Sequence, residues 1–169
     1  MKKTNKGFSM VELIIVIAIM AILAGALAPA LIKYINKSRI STDIQTGQTI
    51  ATAIQTAMSN ETGYDCASNL GTTSQNFDNS YYSSSDVFKK SVASTVGGKS
   101  APKVKSKTCM KKNSTIDGLN SDRNFVFTVN PAQNTVFVYI GGTSSKHHQV
   151  YPTAAECLTN DEVSACKEE

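Results

Sequence analysis

Glu12 is the residue whose type and position most need explaining. It is the fifth residue of a stretch that opens at Phe8, and from residue 13 to residue 32 no side chain carries a charge. A carboxylate at membrane depth costs about 2.5–3.5 kcal/mol on the insertion scale, so it calls for a cationic partner. A disposable export peptide would gain nothing from that cost. The other chemistry-bearing residues are sparse. Asp117 and Asp122 flank a Gly-Leu-Asn-Ser turn that clusters oxygen ligands for Ca²⁺ but lacks the EF-hand spacing and its bidentate Glu, so an acidic turn is the simpler reading. His147 and His148 sit in a Gly/Ser-rich loop and read as an exposed imidazole pair. No nucleophile elbow and no phosphate-binding loop is present, and no metal or cofactor is assigned. These residues argue against an enzyme.

The stretch around Glu12 defines the element that must position it. Twenty uncharged residues form a helix of about 30 Å, the thickness of the hydrocarbon core of a bilayer. Lys2, Lys3 and Lys6 precede it, which places residues 1–7 on the cytoplasmic side and sends the rest outward. The chain has 169 residues and a formal charge of +4, from 17 basic and 13 acidic side chains. Without the three leader lysines, 14 basic residues face 13 acidic ones, so a general basic-protein role disappears. With 41% hydrophobic and 18% charged residues, the composition excludes a wholly disordered chain, a collagen and a multi-pass membrane protein. A secretory signal peptide is the competing reading, with the small residues 24–28 for cleavage. Its apolar core is usually only 7–15 residues long.

Beyond residue 32 the pattern turns amphipathic. Ile40, Ile44, Gly47, Ala51, Ile54 and Met58 form one stripe, opposite Asp43, Gln45, Gln48, Thr52 and Gln55. The helix is expected from residue 8 to residue 59, about 78 Å long, with a kink at Pro29. Gly47 allows close approach of a strand or a slight bend, and Gly63 ends the helix. Residues 61–85 read as loop. A short helix is expected over 86–96, capped by Asp86 and stopped by Gly97 and Gly98. Residues 124–130 and 135–140 alternate as strands around an Asn130–Pro131 turn, Gly141 and Gly142 end the second, and a third strand falls near 149–151. A short helix follows the capping-box pattern of residues 152–156. The fold class is α+β, with the amphipathic half-helix packed on a small antiparallel sheet.

Six lysines lie between Lys99 and Lys112 with no acid among them. They read first as a solvated loop and second as a contact for DNA or another anionic surface. Cys66, Cys109, Cys157 and Cys166 all lie beyond the apolar span, on the oxidising side under this topology. An even count there argues for two disulfides with three possible connectivities, and no pair has the short spacing of a zinc ribbon.

The string from Lys6 to Leu13 (Lys-Gly-Phe-Ser-Met-Val-Glu-Leu), the apolar run behind it and Pro29 resemble the amino terminus of type IV pilins and pseudopilins. The resemblance covers about the first thirty residues. It departs from many members at Ala21, where they carry glycine eight residues before the proline; Gly25 is the nearest substitute. The resemblance implies a leader of residues 1–7, a membrane and filament-core segment 8–32, an amphipathic half-helix 33–60 and a head domain 61–169. It implies cleavage after Gly7 by a prepilin peptidase, which then methylates the new amino terminus at Phe8. The resulting cation is the counter-ion for Glu12, in the same chain or a neighbouring one, and sets the register between subunits. Pairings Cys66–Cys109 and Cys157–Cys166 are favoured, the second closing a loop of the kind many pilins carry.

The expected function is a structural subunit of a type IV pilus. It starts as a single-pass protein of the bacterial cytoplasmic membrane and becomes part of a surface filament for adhesion, motility, biofilm formation or DNA uptake. Partners implied are further copies of the chain, the peptidase, an assembly ATPase and a membrane platform protein. A pseudopilin of a type II secretion or competence system is the alternative, and a secreted adhesin is a different class again.

Overall fold

The computed structural model describes residues 9–106, 123–140 and 148–159; for Glu156 and Cys157 it describes the backbone alone. The chain divides into two compact units, Met1–Ile35 and Asn36–Glu169. Helix α1, Met10–Ala57, contributes to both. In the first unit every residue from 9 to 35 is exposed. An eighteen-residue window of α1 has a mean hydropathy of 2.7 and none of it is buried, so by length and composition the helix can cross a membrane. Pro29 lies inside α1.

The second unit is an α+β domain. Its sheet has four antiparallel strands in chain order: β1 Gln75–Phe77, β2 Phe125–Asn130, β3 Thr135–Ile140 and β4 Gln149–Tyr151. Strand alternation decides which face is covered. Phe125, Phe127 and Val129 of β2 join Val136, Val138 and Ile140 of β3 in the core, and Phe127 stands opposite Val138 in the register. Ile40, Ile50, Ala51, Ile54 and Ala57 of α1 complete that core. The closest approach is at Gly47. A Cβ there would collide with Val150 Cγ2 and come within 3.6 Å of Val138 Cγ1. Glycine at this position lets the helix lie directly on β4, the close approach expected from the sequence.

The best-patterned elements match expectation. Helix α4, Val87–Val96, is capped by Asp86, whose carboxylate accepts from Lys89 N at 3.1 Å. It ends at Gly97, with φ of 77°. The β2–β3 connection begins at Pro131 and closes through Asn134 in the left-handed region. Residues 156–159 form the expected short helix, α5.

Residues 61–85 are not the loop expected. They form α2, Glu61–Leu70, then β1 and the short helix α3, Ser80–Ser83. The Asn60 side chain caps α2 by accepting from Gly63 N at 2.7 Å, so Gly63 does not end a helix but lies in the first turn of one. Its missing Cβ is needed there, because a side chain at 63 would strike the Ala57 carbonyl. Strand β1 makes the sheet four-stranded instead of three-stranded, through pairing of Phe77 with Phe125. Phe77, Tyr81 and Phe127 form an aromatic group at this edge, with centroids 4.9 Å apart for Phe77–Tyr81 and 6.1 Å for Tyr81–Phe127.

Asp43 is also corrected. It was placed on the polar side of α1, yet it is 1% exposed. Its carboxylate accepts from Lys105 N at 2.9 Å, Ser106 N at 2.8 Å and Ser106 Oγ at 2.5 Å. Three converging donors compensate the loss of water at a buried carboxylate.

Candidate assembly site at the amino-terminal helix

The amino-terminal turn of α1 begins at Ser9. The Ser9 hydroxyl accepts from Val11 N at 3.3 Å, and Glu12 Oε2 accepts from Ser9 N at 3.0 Å. Ser-x-x-Glu side chains that satisfy the free amides of a helix start form a capping box. Ser9 and Glu12 have that spacing in the sequence, so the spacing was the available signal; the charge of Glu12 drew attention to its partner instead. Glu12 is exposed. Its carboxylate is bonded to the amide of the residue that directly follows Phe8, so a cation created at Phe8 would arise one residue from that bond. Gly7 and Phe8 themselves lie outside the described residues.

Residues 2–28 match the family pattern described as the prokaryotic N-terminal methylation motif. The motif is of the prepilin type. A 68-residue stretch of the chain is 43% identical to the type IV major fimbrial protein FimA of Dichelobacter nodosus, covering 39% of this chain and 43% of that protein. The chain therefore aligns with less than half of the length of this curated relative. No solved structure matches. Both similarities cover less than half of the chain. The architecture, with a long apolar amino-terminal helix and a small antiparallel sheet, is a pilin-like α+β fold.

Pro29 is exposed on α1. Cys66 is half-buried on α2, and among the described residues it has no disulfide partner. Cys109 and Cys166 lie outside the described residues, as does the side chain of Cys157. Of the lysine run, Lys99, Lys103 and Lys105 are described and exposed, in keeping with a solvated segment. Lys103 Nζ donates to Asn124 Oδ1 at 2.6 Å, and Lys103 bridges to Asn124 beside β2. Lys107, Lys111 and Lys112 lie outside the described residues, as do Asp117 and Asp122. Among the described residues no group of three or more His, Cys, Asp or Glu could hold a metal ion. His147 is likewise outside them, but His148 corrects the expectation of an exposed pair. It is only 9% exposed, because it immediately precedes β4 and that strand is drawn onto β3.

Two tyrosines are electrostatically perturbed in the head unit. Burial first, then the nearby charges of Asp78 and Asp86, push the Tyr81 phenol well above the ordinary tyrosine range. Burial also raises Tyr82, whose hydroxyl donates to Gly97 O at 2.8 Å.

Proposed function

We propose that this chain is the structural subunit of a type IV pilus, with a mechanical and not a catalytic role. It enters the cytoplasmic membrane as a single-pass precursor, is cut after Gly7 by a prepilin peptidase, and is N-methylated at Phe8. Methylation keeps the positive charge of the new amine. That cation pairs with Glu12, in the same chain or the next, and an ion pair inside an apolar bundle permits only arrangements in which both charges are satisfied. Glu12 thereby selects the axial register, as a polar residue does in a coiled-coil seam. Pro29 removes one backbone hydrogen bond and gives the apolar segment a point at which to bend.

One observation carries this reading: the methylation motif over residues 2–28 heads a helix whose apolar side chains are uncovered as far as Ile35. In lipid those side chains are already satisfied. Transfer into a filament core therefore adds little hydrophobic free energy and must be driven by an assembly ATPase acting through a platform protein. The head unit faces the oxidising side and is braced by disulfides Cys66–Cys109 and Cys157–Cys166, each contributing about 2–4 kcal/mol. The filament serves at the cell surface, in adhesion, motility, biofilm formation or DNA uptake.

The processing step is tested by Gly7→Ala. The precursor should stay uncut in the membrane and no filaments should appear. Normal cleavage and filament yield in that variant would contradict the proposal.

A further inference from the structure

We propose that Lys33, Tyr34, Lys37 and Arg39 form a collar on α1 that seats on anionic phospholipid headgroups of the outer leaflet while the precursor is in the membrane. The inference rests on the membrane reading above and adds a second contact to it. Apolar side chains run without a charge as far as Ile32, and Leu31 and Ile32 are 59% and 68% exposed. The next residues change character at once. Lys33, Lys37 and Arg39 are exposed, and Tyr34 is 71% exposed.

Helical geometry makes these residues a girdle. Lys33 and Lys37 are four apart and share a face, Tyr34 lies beside them, and Arg39 falls towards the opposite side. From Lys33 to Arg39 the helix rises about 9 Å. The polar layer on each side of a bilayer is about 5–8 Å thick, so the collar is long enough to span it. Tyrosine suits that layer because its ring tolerates acyl chains and its hydroxyl seeks water, while long basic side chains reach phosphate from the apolar edge.

The charge balance identifies the lipid. Between Glu12 and Asp43 the chain has no acidic residue, and Asp43 is buried and held by Lys105 and Ser106. The helix thus supplies three cations and no exposed counter-charge of its own at this level, which anionic headgroups provide. The collar then holds the helix at a fixed depth until assembly draws it out.

The chain has no Trp, so Tyr34→Trp supplies a single reporter. The full precursor carrying it is reconstituted in vesicles of phosphatidylcholine alone or with phosphatidylglycerol, and depth is read with acyl chains brominated at defined positions. With phosphatidylglycerol present, quenching by the headgroup-proximal bromines should increase and emission should become less sensitive to aqueous quenchers. Adding K33Q, K37Q and R39Q should abolish the lipid dependence and leave insertion intact. Equal depth in both lipids, or a dependence that survives the triple variant, overturns the collar. So does a triple variant that lowers self-association in neutral vesicles without changing depth, since the collar would then serve another copy of the chain. Failure to insert into either vesicle overturns the membrane reading, and the collar with it.

Discussion

Asp43 Oδ2 and the Ser106 hydroxyl meet at 2.5 Å although the two residues are 63 positions apart. The Ser106 amide reaches the same oxygen at 2.8 Å, and the Ser106 carbonyl accepts in turn from Arg123 Nη2 at 2.8 Å. One carboxylate on α1 therefore fixes the segment that ends at Ser106, and Arg123 ties that segment to the strand that follows. Replacing Asp43 with Ala leaves two amides and a hydroxyl without their acceptor and should destabilise the head by about 3 kcal/mol. Asp43→Asn keeps the shape and part of the bonding and should cost about half as much. Denaturant unfolding of the head measures both, and a loss within experimental error for Asp43→Ala would refute the tether.

Gly47→Ala sets two effects against each other. Alanine improves helix propensity by about 1 kcal/mol, whereas overpacking costs about 1–3 kcal/mol. The added Cβ would collide with Val150 Cγ2 and stand 3.3 Å from Val150 Cβ, and a β-branched side chain cannot swing aside. The net result should be destabilisation by about 1 kcal/mol, relieved when Val150→Ala is combined with it. Thermal unfolding of the two single variants and the double variant checks the sign.

Alkaline pH should unfold the head partly through Tyr81. Its folded-state pKa lies above the unfolded value of about 10, so the folded state retains a proton that the unfolded state loses. This contribution is fully present below about pH 10 and is lost as pH rises beyond it. Tyr81→Phe should flatten that part of the stability profile while keeping the ring contacts with Phe77 and Phe127. An unchanged alkaline slope would show that the phenol is not the group responsible.

The two roles of Glu12 can be separated by Glu12→Gln. Glutamine can still accept from Ser9 N, so the helix start survives, but the negative charge is gone. Both Gln and Ala should insert in the membrane, and if charge sets the register both should lower filament yield about tenfold or more, an order-of-magnitude loss for about 1.4 kcal/mol of pairing. Filaments at the unsubstituted yield from Glu12→Gln would leave capping as the only function of that carboxylate.

How much of this was legible in the chain depended on how local the determining physics was. Helix α1 is written in an unbroken apolar run, α4 in Asp86 and Gly97, and strands β2 and β3 in their alternation. Helix α2 hid because its sequence is polar and contains Gly63; its existence depends on the Asn60 cap and on a small buried face at Gly63 and Ala67. Strand β1 is three residues long and is defined by its ladder to β2. The position of Asp43 was visible, three residues after Ile40 and four before Gly47, but its charge argued against burial. The donors that permit burial lie more than sixty residues away, beyond the reach of any periodicity. The capping role of Glu12 was readable from the Ser-x-x-Glu spacing alone.

The account as a whole depends on what becomes of residues 1–8. Intact mass and fragmentation spectra of the protein recovered from the cell surface measure this directly. The account predicts a chain that begins at Phe8 and carries one added methyl group on its amino terminus. A product that still begins at Met1, or one that starts downstream of Glu12, would contradict it.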